Sequence, residues 1–178
     1  VAQLVPVKGH PVLLKAISKI PNVHLMIAGA PLNEEYVESL KRMVTELQIE
    51  DRVHFLGRVT DIPALLSELD IFVLASTSTG EGCPVALLEA MSAAKACIAT
   101  DIPGSRDILK GSNGGWLVPP EDPEALAEAI AELAVSKELR EKVGLSARKK
   151  ICEEYKIERE VSQYVSLYDS TMGRRRLI

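Results

Sequence analysis

No apolar run in this chain approaches the ~20 residues that a membrane-spanning helix needs, and no signal peptide is visible. Cysteine is scarce. Cys83, Cys97 and Cys152 are far apart and odd in number, and the three histidines, His10, His24 and His54, form no metal-ligand spacing with them. That excludes a disulfide framework and gives no sign of a zinc site. Reduced thiols in a cytoplasmic protein are the expectation, with any membrane contact peripheral. A basic excess is also missing: the formal net charge is −4, which argues against a nucleic-acid partner. It leaves room for an anionic small ligand, since one local positive site is enough to hold it. The first apolar run leads into Val5-Pro6-Val7-Lys8-Gly9, without the Gly-x-Gly-x-x-Gly of a dinucleotide-binding domain. No Asp-x-Asp pair offers a metal motif.

What is present is a globular composition, 47% hydrophobic and 26% charged over 178 residues. A chain of that length buries roughly 70% of its unfolded surface and folds without disulfide or metal. It begins with Val1 inside an apolar stretch, so we expect a piece of a longer protein. Short β-branched runs alternate with helical patterns. The runs are Val1 to Val5, Val23 to Ala28, Val53 to Leu56, Ile71 to Ala75, Ala96 to Thr100 and Trp116 to Val118. Each is bounded by Gly, Pro or Asp and reads as a buried parallel strand. Leu13, Ala16, Ile17 and Ile20 form one helical stripe, and Tyr36, Val37, Leu40, Val44 and Leu47 form another. Pro84 to Ala94 reads as a third helix. Asp122-Pro123 caps a fourth, after which helix runs to about Met172 with breaks near Val135-Ser136 and between Glu154 and Ile157.

This alternation predicts an α/β fold: a Rossmann-like, doubly wound parallel sheet of about six strands with helices on both faces. Ligands of such sheets sit at the carboxyl ends of the strands. Residues 1–172 are assigned to the domain, and 173–178, with Arg174-Arg175-Arg176, to a basic tail.

One strand-end loop carries a constellation. It reads Ser76-Thr77-Ser78-Thr79-Gly80-Glu81-Gly82-Cys83-Pro84-Val85-Ala86-Leu87-Leu88-Glu89. The helix start implied by Pro84 offers free N–H groups and a positive dipole end to an anion such as pyrophosphate. Glu81 and Glu89 bracket that start with seven residues between them. Rise along the helix puts the two carboxylates on the order of 10 Å apart, about the reach from a ribose past two phosphates to a hexose. A carboxylate can accept from two hydroxyls at once. Spacing alone leaves open that Glu81 is a solvated loop acid and Glu89 a helix-surface acid.

The surrounding residues resemble the Glu–seven–Glu signature of retaining GT-B glycosyltransferases, the group that includes glycogen synthases and many bacterial polysaccharide transferases. The resemblance runs through Lys8-Gly9, Ile27-Ala28-Gly29, Asp51 to Gly57, Asp70 to Ser76, Leu88 to Met91, Ile98 to Asp101 and Gly115 to Pro119. It implies the C-terminal, donor-binding half of a hexosyltransferase in polysaccharide or glycoconjugate biosynthesis. The donor would be a UDP-, GDP- or ADP-sugar, with no metal or further cofactor. The partner would be an N-terminal acceptor-binding domain, without which this half would be inactive. Lys8 would neutralise the leaving phosphates, Glu81 would bind the donor sugar and Glu89 the ribose. Gly82, Cys83, Pro84 and Val85 would face sugar and phosphate, and the main chain at Arg58 and Val59 would meet the base. Gln3 stands where the family usually has a phosphate-binding arginine. Ala94 and Ala96 replace a common glycine and proline, and Asp107 a common glutamate. The rival reading is a non-catalytic nucleotide-binding or protein-interaction module, with Gln3 as its support.

Overall fold

The computed structural model describes residues 1–77 and 81–173. Among these residues five strands are formed, β1 (Leu25–Ala28), β2 (Val53–Gly57), β3 (Ile71–Leu74), β4 (Ala96–Thr100) and β5 (Gly115–Val118), and every pairing between them is parallel. Eight α-helices accompany them among the described residues: α1 (His10–Ser18), α2 (Glu34–Glu46), α3 (Ile62–Glu68), α4 (Val85–Ser92), α5 (Pro103–Leu109), α6 (Pro123–Val135), α7 (Lys137–Glu154) and α8 (Ile157–Gly173).

Strand β4 shows why both faces are covered. Successive strand residues point to opposite faces. Ala96 and Ile98 enter one core with Leu14 and Ile17 of α1 and Ile130 of α6. Cys97 and Ala99 enter a second core with Leu87 and Met91 of α4 and Ile108 of α5. All five residues of β4 are buried, as a central parallel strand requires.

The helix boundaries follow local chemistry. The side chains of Asn33, Asp61, Asp122 and Ser136 accept from backbone N–H groups in the first turns of α2, α3, α6 and α7. The expected breaks at Ser136 and after Glu154 are both present.

Three expectations need correction. Val1 to Val5 forms no strand. Ala2 N–H donates to Ala28 O and Leu4 N–H to Ala30 O, and only Leu4 bridges, to Pro31, before a 3-10 turn at Pro6–Lys8 bends the chain away. The strands consequently form two sheets, β1-β2 and β3-β4-β5, and not one sheet of six. Helix α4 spans Val85–Ser92 and not Pro84 to Ala94: Pro84 keeps extended backbone (φ −72°, ψ 92°) as the N-cap, so Val85 takes the first helical position.

Candidate functional site

The carboxyl ends of the strands are drawn together by close backbone contacts. Gly9 has φ +67°, and a Cβ there would lie 1.8 Å from Ala75 O. Only glycine fits so close to the end of β3. The Thr77 N–H donates to Val7 O, fixing the Pro6–Lys8 turn against the chain that leaves β3. Lys8 is carried with it.

On the other side of the site, a Cβ at Gly104 would lie 2.3 Å from Glu81 O and 2.8 Å from Gly82 O. The start of α5 is therefore in contact with the backbone that presents Glu81. The result is an ion pair across the fold: the Lys8 ammonium donates to Glu81 Oε1, although 73 residues separate them. Their side chains are only 20% and 18% exposed. Glu81 Oε2 is buried and has no hydrogen-bond partner among the described residues. Buried polar atoms are seldom left this way.

Gly82, Cys83 and Val85 are exposed at the start of α4, while Pro84 is buried. Glu89 is exposed on α4. Gln3 is exposed and makes no side-chain hydrogen bond among the described residues. Arg58, also exposed, and Val59, half-buried, follow Gly57, whose carbonyl accepts from Gly29 N–H at the ends of β1 and β2. Among these candidates the structure brings Lys8 and Glu81 into contact. Ser78 to Gly80 and Arg174 to Arg176 lie outside the described residues. No group of three metal-ligating side chains occurs among the described residues.

The sequence reading missed Gly104, Ser105 and His10. Ser105 is fully buried, and its Oγ has no partner among the described residues. His10, beside Lys8, is 6% exposed, with its Nδ1 3.4 Å from the Tyr36 hydroxyl. Burial, with the Lys8 charge adding to it, brings its pKa down to about 4. Ile102-Pro103 was the available signal for α5, a Pro at the helix start.

The model of the glycosyl transferases group 1 family matches residues 1–150. The chain belongs to the group 1 glycosyl transferases. It is 30% identical over 154 residues to the N-acetyl-alpha-D-glucosaminyl L-malate synthase of Bacillus anthracis, a match covering 86% of this chain and 39% of that one. Among solved structures it resembles HepE of Anabaena in complex with UDP, with TM-score 0.89 and 25% identity, over 95% of this chain and 48% of that one. It also resembles the C-terminal domain of the group 1 glycosyl transferase LpcC from Francisella tularensis, with TM-score 0.79 and 25% identity, over 88% of this chain and 84% of that domain. The chain spans less than half the length of the curated relatives it matches. The α/β, GT-B-type Rossmann-like fold expected from the sequence is the one these neighbours share. Among the described residues no helix is long and apolar enough to cross a membrane.

Proposed function

We propose that residues 1–172 are the donor-binding domain of a retaining hexosyltransferase that uses a nucleotide sugar in glycan or glycoconjugate biosynthesis. The carrying observation is the Lys8–Glu81 pair at the start of α4, with Glu81 Oε2 buried and unpartnered among the described residues. A lysine ammonium has three N–H donors. Lys8 can therefore hold Glu81 and a donor phosphate together, neutralising charge on the leaving diphosphate as the glycosidic bond breaks. Glu81 Oε2 accepts from a hydroxyl of the donor sugar. The free N–H groups around Gly82, Cys83 and Val85 meet phosphate and sugar. Glu89 accepts from the ribose hydroxyls, the main chain at Arg58 and Val59 meets the base, and Gln3 flanks the phosphates without a charge.

The acceptor site belongs to an N-terminal domain of the same enzyme, so this chain alone transfers negligibly. Its place is the cytoplasm, with membrane contact confined to the surface. The UDP held by HepE makes UDP-sugars the first donors to try. Calorimetric titration with UDP-, GDP- and ADP-sugars tests the reading. One of the three should bind with measurable heat. Silence with all three favours a module that has lost its donor.

A further inference from the structure

Strands β1 and β2 pair with Leu25 opposite Val53 and Met26 opposite His54. Alternation along each strand sorts the side chains by face. Leu25, Ile27, Val53 and Phe55 pack into the core with α1 and α2. Met26 and His54 belong to the opposite face, where both are exposed. His24, one residue ahead of β1, is exposed as well. The two imidazoles meet there: His24 Nδ1 is 3.3 Å from His54 Nε2, although 30 residues separate them. The donor-site reading leaves this pair unused. It stands at the amino ends of the strands, and His24 to Ala28 spans roughly 13 Å of chain. Glu81 and Lys8 stand at the carboxyl ends.

The backbone holds both histidines in place. Leu25 N–H donates to Arg52 O. The Arg52 guanidinium donates from Nη1 to Val23 O, and also to Ile17 O and Ile20 O at the end of α1. His24 therefore sits between two residues tied to Arg52, and His54 sits in the β1-β2 ladder. At 3.3 Å the contact is long for a hydrogen bond. It matches two nitrogens on one tetrahedral ion, which at ~2.05 Å from the metal lie about 3.3 Å apart. The ring planes are 3° from parallel. Histidine χ2 is a soft torsion, so a turn of each exposed ring aims both lone pairs at one point. Each imidazole then carries its proton on the outer nitrogen, His24 Nε2 or His54 Nδ1, and the ion replaces the proton between the inner two.

We infer that His24 and His54 together bind a divalent transition-metal ion of the nickel, copper and zinc group, on the outer face of β1 and β2. Imidazole suits these ions, whereas magnesium and calcium take oxygen ligands. No third histidine, cysteine or carboxylate joins the pair among the described residues. Water completes the coordination, and the ion is exchangeable rather than structural. The inference does not rest on nucleotide binding, and the two ligands should bind independently of each other.

Titration with Ni²⁺, followed on the imidazole NMR signals, tests it. The chain has three histidines, and buried His10 is the internal control. Because the signals report histidines alone, nickel held by the exposed thiols of Cys83 and Cys152 does not confuse the reading. The His24 and His54 signals should broaden together, to the same saturation point, well before those of His10. Zn²⁺ should restore them by competition and Mg²⁺ should not. His24→Gln and His54→Gln should each weaken nickel binding at the remaining histidine by roughly 100-fold, the order of gain that linking a second ligand gives. Both replacements are of exposed side chains, so the fold should be retained. Absence of broadening, saturation of the two histidines at different nickel concentrations, unchanged affinity in either variant, or displacement by Mg²⁺ overturns the inference.

Discussion

The Lys8 ammonium and the Glu81 carboxylate form an ion pair although they come from loops 73 residues apart. Two glycines make the approach possible. Gly9 brings the Lys8 turn onto Ala75, and Gly104 lets α5 touch the backbone at Glu81 and Gly82. The Lys8–Glu81 contact therefore depends on two residues that have no side chain.

Gly104→Ala tests that dependence. Its Cβ would lie 2.3 Å from Glu81 O, a backbone atom that cannot swing aside like a flexible side chain. Overpacking of this kind costs typically ~1–3 kcal/mol. We expect a lower thermal midpoint and nucleotide-sugar affinity weakened about tenfold or more, since ~1.4 kcal/mol corresponds to tenfold. Unchanged melting and unchanged titration would show that α5 does not position Glu81.

Lys8→Met separates phosphate binding from folding. The substitution removes the ammonium and keeps most of the side chain's length. Hydrogen bonds to charged groups are worth ~1.5–3 kcal/mol, so nucleoside diphosphate affinity should fall roughly 10- to 150-fold. A free nucleoside has no phosphate to lose, and its binding should change little. Equal losses for both ligands would place Lys8 away from the phosphates.

The end of α4 offers a gain in stability. Ala94 has φ +56°, while Ala94 N–H donates to Met91 O and Lys95 N–H to Ala90 O. This is the Schellman pattern, whose left-handed residue is usually glycine. A left-handed L-residue costs roughly 1–2 kcal/mol, part of which glycine returns in unfolded-state entropy. Ala94→Gly should stabilise the fold by about 0.5–1 kcal/mol in urea unfolding. A loss of stability would mean that the Ala94 methyl contributes packing larger than the strain.

His10 gives a pH dependence with a definite sign. Burial favours its neutral form and brings its pKa from 6.5 to about 4 in the folded chain. The unfolded chain takes up that proton near pH 6.5. The stabilisation is therefore full above about pH 6.5 and is lost as pH falls towards 4. Between pH 7 and pH 5 the loss is on the order of 2 kcal/mol. Urea unfolding at both values should show His10→Gln losing less than the unsubstituted protein. Parallel losses would assign the acid sensitivity to other groups.

Much of this was legible in the sequence because periodicity and capping residues are local. The strands at Val53, Ile71 and Ala96 begin where their apolar runs begin, and Ser136 breaks the C-terminal helices as its capping chemistry dictates. Helices α3 and α5 were missed: seven residues are under two turns, too few to display a stripe. Val1 to Val5 looked like a strand because its composition suits one, but pairing depends on neighbours that composition does not record. Glu81 could be singled out by the resemblance of its surroundings to the Glu–seven–Glu signature, where spacing alone left it open. Its contact with Lys8 could not, since it rests on how Gly9 and Gly104 pack across the chain.

The most direct measurement titrates the Glu81→Gln and Glu89→Gln variants, each with a nucleoside diphosphate and with its nucleotide sugar. Glu89→Gln should weaken both ligands roughly 10- to 150-fold, because both carry the ribose. Glu81→Gln should weaken the nucleotide sugar and leave the diphosphate nearly unaffected, because that ligand has no hexose for Glu81 Oε2 to accept from. The account is contradicted if Glu89→Gln leaves diphosphate binding unchanged, or if Glu81→Gln weakens both ligands equally.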